Sequence, residues 1–282
     1  MNWNFDPLEI SVLAVVGALY WRRLRTLARR GRPVPWPRLA AFAAGLLTLF
    51  VALTSPIDTV GEERLFSVHM FQHLLLGDIG ALLLVLGLDG RLLRPLLRFR
   101  MVHRLRVLAH PLVALPLWAL NFVMWHLPVL FDAALRNDAI HALQHSLFIA
   151  LGMLMWAALI EPLPGPAWFT APWKIPYVLG MWLVMLVLSQ VFIWSRHVYY
   201  APYAHDATLW GLSHLADQKA GGGVMLVESA FTMLPALVWV LLMVLRESEA
   251  RQRLVDAGVT PAVAARAARY GRARSLRTGT PR

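Results

Sequence analysis

The sequence predicts an all-α membrane protein, a polytopic bundle of seven transmembrane helices with the N-terminus outside and the C-terminus in the cytoplasm. Three observations carry this. Apolar residues fill 58% of the 282 positions and mean hydropathy is +0.55, above the apolar share of ordinary soluble domains. Apolar runs close to the roughly 20 residues needed to cross a bilayer recur along the chain. Lys and Arg gather between alternate runs, which is how orientation in a membrane is encoded.

The runs follow one another at 7 to 21, 39 to 54, 66 to 88, 108 to 126, 139 to 160, 175 to 195 and 222 to 245. The first follows Met1-Asn2-Trp3-Asn4-Phe5-Asp6, which lacks the basic region of a secretory signal, so it is expected to stay as a span. Pro7 and the prolines from Pro33 to Pro37 limit the first two runs. The third carries His69 and His73 near its start and Asp78 near its middle. The fourth ends in Asn121 and His126, and the fifth opens with His141 and His145. Before the seventh, Asp217-Gln218 and Gly221-Gly222-Gly223 read as a polar approach to a closely packed helix, and Glu228 lies about two turns inside it. Trp125, Trp156, Trp173, Trp194 and Trp210 fall near the expected interfaces and read as belt anchors.

Orientation follows from charge. The stretches 21 to 38, 89 to 107, 161 to 176 and 246 onward hold 23 of the 27 Lys and Arg, leaving Arg64, Arg136, Arg196 and Lys219 on the other side. The formal charge of +11 is thereby explained without nucleic acid as a partner; the partner it implies is the lipid bilayer. Residues 1–245 are expected to form one transmembrane domain, and 246–282, rich in Arg, Ala and Gly, a flexible cytoplasmic tail. The absence of cysteine removes disulfides, thiolate ligands and a thiol nucleophile. No P-loop, Rossmann glycine pattern or G-x-S-x-G elbow occurs.

Two motifs of one shape dominate: His69-Met70-Phe71-Gln72-His73 and His141-Ala142-Leu143-Gln144-His145. Histidines four apart share a helix face and can converge on one ion. With this topology both pairs and His126 lie at the outer end of the bundle, as do His197, His205 and His214, and a pocket open to the outside is expected. Candidate metal ligands are His69, His73, His126, His141, His145 and Asp217, with Gln72, Gln144, Asn121, Gln218, Asp78 and Glu228 as supporting polar groups. Met70 is adjacent to His69, points about 100° away on the helix and reads as packing. Imidazoles without thiols suit copper, zinc, iron or haem, and His with Met leans toward copper. A zinc hydrolase with Asp217 or Glu228 as base, and a haem-linked redox protein with paired axial histidines, are the rival readings.

Ser55-Pro56-Ile57-Asp58, the two histidine motifs with Leu74-Leu75-Leu76, Asn121-Phe122-Val123-Met124-Trp125-His126, and Asp217-Gln218 with Ala220-Gly221 together resemble the seven-span CtaG family of bacterial cytochrome c oxidase assembly factors. The resemblance covers roughly residues 40 to 245. It implies a non-enzymatic protein of the bacterial plasma membrane that handles copper for cytochrome c oxidase subunits. The family's histidine motifs carry over onto His69, His73, His126, His141 and His145, and its Asp-Gln motif onto Asp217 and Gln218.

Overall fold

A computed structural model describes residues 3–204 and 209–269, and among these the chain is helical with no strand. His205 and the tail beyond residue 269 lie outside the described residues.

Helix α1, Pro7–Arg29, starts where Asp6 accepts hydrogen bonds from the Leu8 and Glu9 amides behind Pro7. Helix α2, Trp36–Thr54, ends at Ser55, whose hydroxyl then caps the eight-residue α3, Pro56–Glu63. A single Ser-Pro pair thus closes one helix and opens the next. Helix α4, Phe66–Leu86, contains one wide π turn at Leu75–Gly80. Short helical turns over 90–109 lead into α5, Pro111–Trp125, through a 75° bend. Then come α6, Pro128–Arg136; α7, Asp138–Ile160; α8, Ala171–Ile193; and α9, His214–Asp256. Helix α10, Pro261–Arg269, folds back after Gly258, where φ is +85°, a conformation glycine adopts freely.

Five helices, α2, α4, α7, α8 and α9, are long and apolar enough to cross a bilayer, and the bent pair ending in α5 makes a sixth. This is a membrane protein. Helix α1 has 23 residues, but Glu9 and four arginines interrupt its apolar face.

Two elements differ from the sequence expectation. The seventh run begins at His214, not 222, because Ser213 caps the helix on the Ala216 amide and the glycines are helical rather than part of an approach. That helix also continues through residue 245 to Asp256. Leu254, Ala264 and Ala267 then pack together, and Arg269 meets Glu161 and the carbonyls of Pro166, Ala167 and Phe169, so residues 246–256 and 261–269 are helical and the segment docks on the 161–170 loop. Among the tryptophans, Trp173, Trp194 and Trp210 are exposed as belt residues should be, whereas Trp125 and Trp156 are buried core residues. The indole N–H groups of these two meet Asn121 and Asp78, satisfying polar atoms where water is absent.

Candidate metal centre

Four of the predicted ligands converge. His69 and His73 on α4 and His141 and His145 on α7 are all buried, and one nitrogen of each lies within 4.8 Å of the other three. His69 Nε2 and His73 Nε2 are 2.7 Å apart, and the His141 and His145 rings are 4.0 Å apart between centroids. Helical spacing produces the pairs; the packing of α4 on α7 brings the pairs together. His141 Nε2, His145 Nε2 and His73 Nδ1 have no hydrogen-bond partner among the described residues. Buried imidazole nitrogens without partners are costly in an apolar setting, and a shared cation resolves the cost for several at once. The donor set, all imidazole nitrogen and no thiolate, fits copper or zinc.

Second-layer contacts fix which nitrogen faces inward. The Tyr203 hydroxyl donates to the Gly61 carbonyl at 2.6 Å, so at 3.1 Å it accepts from His69 Nδ1, leaving the His69 Nε2 lone pair directed at the cluster. Burial pushes the Tyr203 phenol well above its ordinary range, which keeps that proton in place. His141 Nδ1 lies 2.8 Å from Glu62 Oε1, a carboxylate–histidine contact that again frees Nε2. The Glu62 side chain is 36% exposed, against 10% for His141. Beside it, Asp58 accepts from Gln72 Nε2 at 2.7 Å, and burial together with the Glu62 charge pushes the Asp58 carboxyl up to about 6. An open pocket was expected; instead the four histidines are buried, Phe131 and Tyr203 pack against His69, and the partly exposed Glu62 lies at the cluster's edge.

His126 stands next to the four. Its Nδ1 donates to the Phe122 carbonyl at 2.6 Å, and its Nε2 lies 3.3 Å from the sulfur of Met70. Both facing atoms are acceptors, an arrangement that a soft cation between them would satisfy. Met70 therefore does more than pack: it points about 100° from His69, and His126 is what it meets there. Tyr200 holds the His126 backbone through its carbonyl at 2.8 Å.

The remaining predicted residues serve other contacts. Asp217 does not join the cluster: its carboxylate accepts from the Phe66 and Ser67 amides and the Ser67 hydroxyl, capping the start of α4. Gln218 bridges the Tyr199 amide and the His197 carbonyl, pinning the loop that carries Tyr200 and Tyr203. Gln72 bonds the Ala52 carbonyl as well as Asp58, while Gln144 is fully buried with both amide atoms unpartnered among the described residues. Asn121 accepts from Trp125, not from the acids. Asp78 accepts from Trp156 and Thr232 at 2.7 and 3.1 Å, and both carboxylate oxygens of buried Glu228 have no hydrogen-bond partner among the described residues.

Tyr203 and Glu62 were missed at the sequence level. Each had a faint signal, a tyrosine run in a loop at the histidine end and a Glu-Glu pair just before the helix that bears His69.

Comparison with known proteins agrees with the motifs. A family model described as cytochrome c oxidase caa3 assembly factor matches residues 18–247. An uncharacterised protein of Mycobacterium bovis and another of Mycobacterium tuberculosis are each 26% identical over 271 residues, covering 90% of this chain and 40% of theirs. One from Mycobacterium leprae is 26% identical over 245 residues, covering 79% of this chain and 36% of its own. The chain therefore spans about two-fifths of the length of these relatives. No solved structure gives a significant match. With a family model that takes in both histidine pairs, His126 and the Asp-Gln motif, the chain belongs to the cytochrome c oxidase caa3 assembly factor family.

Proposed function

We propose that this protein assists cytochrome c oxidase assembly by binding copper at the four-histidine cluster and passing it to an oxidase subunit, without catalysing a reaction itself. The observation that carries the reading is the set of inward nitrogens: two tautomers are fixed by Tyr203 and Glu62, and three ring nitrogens have no partner among the described residues. The neighbouring His126–Met70 pair favours copper over zinc, because a thioether is a poor zinc ligand and a good one for Cu(I). The zinc-hydrolase alternative took Asp217 or Glu228 as its base, and neither is among the groups at the cluster: Asp217 caps the start of α4. A haem would need a slot for its macrocycle, where the rings of His73, His145 and Phe148 pack on one another.

In this reading α1 is a seventh span, the histidines sit at the outer face of the bacterial plasma membrane, and copper approaches past Glu62. Metal analysis and competition titration of the purified protein test it. Copper is expected to be retained over zinc. His73→Ala and His145→Ala should each lower copper affinity by at least roughly 100-fold while His110→Ala leaves it unchanged. A deletion strain should lose activity of the copper-containing oxidase, with partial recovery in excess copper. Preference for zinc, or normal oxidase activity under copper limitation, would overturn the proposal.

A further inference from the structure

At the end of the bundle opposite the histidines, a groove of about 1360 Å³ runs between α1, the start of α2 and residues 88–99. This exceeds the roughly 300–1,000 Å³ of ordinary small-molecule pockets. One wall is apolar, formed by Val16, Leu19, Phe42, Leu88 and Met153. Seven arginines line the rest, and no carboxylate does. Arg91 is held by Asp89 at 2.7 Å, and Arg23 reaches the Arg91 carbonyl at 2.6 Å while its Nε is buried and unpartnered among the described residues. The guanidinium groups of Arg22, Arg30, Arg32 and Arg94 have no ion pair or hydrogen bond with the described residues.

Arginines on cytoplasmic loops are ordinarily solvated and mark orientation only. Here they form one continuous surface with an apolar wall, and a guanidinium fork matches phosphate oxygens in geometry as well as charge. Val16 and Leu19 are more than a third exposed, so the apolar wall is open to an occupant. Apolar length joined to a negative head is the chemistry of an anionic amphiphile, and basic pockets between helix ends at the cytoplasmic leaflet are where such headgroups settle. We propose that this groove binds an anionic phospholipid, its phosphate on the arginine rim and its acyl chains along Val16, Leu19, Phe42 and Met153.

The test is association of labelled phosphatidylglycerol with the full chain reconstituted in phosphatidylcholine vesicles. Wild type should retain phosphatidylglycerol over labelled phosphatidylcholine. Each neutralised groove arginine is expected to weaken it by roughly five-fold, so Arg22→Gln/Arg30→Gln should bind roughly 25-fold less. Arg25→Gln/Arg29→Gln, on the same helix but outside the groove, should bind as wild type. Val16→Trp, which fills the apolar wall and leaves every charge, should also displace the lipid. Far-ultraviolet circular dichroism and copper affinity confirm that each variant is folded. Equal retention of both lipids, equal loss in the two arginine pairs, no effect of Val16→Trp, or displacement by inorganic phosphate as effective as by lipid would each overturn the proposal.

Discussion

A tyrosine has one proton to give, and Tyr203 gives it to the Gly61 carbonyl, so its oxygen is left to accept from His69. Replacing it by phenylalanine keeps the ring against Phe66 and Phe131 but removes the partner that holds the His69 tautomer. Copper affinity of Tyr203→Phe should fall by about 10- to 100-fold, the usual effect of losing such a partner, with stability reduced by only about 1 kcal/mol. Competition titration and thermal unfolding separate the two; unchanged affinity would make Tyr203 a packing residue. At this scale the sequence was half legible. The histidine pairs could be read because their spacing is local, whereas the contacts of Asp217 with Phe66 and of Tyr203 with His69 join residues 151 and 134 apart. Asp217 was read as a ligand because a carboxylate that caps a distant helix carries no local signature of doing so.

At the scale of elements, α9 owes its contacts to two of three consecutive glycines. A Cβ at Gly222 would lie 2.8 Å from the Ser189 carbonyl oxygen and 2.9 Å from Phe192 Cβ, so α8 and α9 touch because it is absent. A Cβ at Gly223 would meet nothing within 4 Å. Gly222→Ala should therefore destabilise the protein by about 1–3 kcal/mol, and Gly223→Ala should stabilise it by about 0.5–1 kcal/mol through helix propensity. Thermal unfolding in detergent reads both, and effects of the same sign would refute the distinction. The glycine triplet was visible in the sequence as a site of close packing, but not that it lies inside the helix. Where a polar segment opens an apolar helix, only its cap marks the start, and Ser213 is one candidate among several polar residues.

For the whole molecule, arginines from the end of α1 and from residues 91–98 line one groove, and Arg269 of α10 meets Glu161. Reporter fusions after residue 269 should be active on the cytoplasmic side, and fusions in the 127 to 138 segment on the outer side. An external tail would reverse the bundle and overturn the proposed outer location of the cluster. Hydropathy foresaw the membrane class and five of the spans directly, because those runs are both long and uncharged. It was less informative for α1 and α5, where arginines in the one and a 75° bend before the other break the pattern of a simple crossing.

The wide turn at Leu75–Gly80 alters the phase of α4. In a regular α-helix five residues rotate a side chain by about 500°, roughly 140° past its starting direction, whereas a π turn repeats at i to i+5. Asp78 is five residues beyond His73, and widening the helix there swings it back toward the side that His73 occupies. Both then address α7, His73 at His145 and Asp78 at Trp156. A single polar column, His69, His73 and Asp78, runs along the helix toward the middle of its length, and one residue's worth of backbone slack keeps its last member in line.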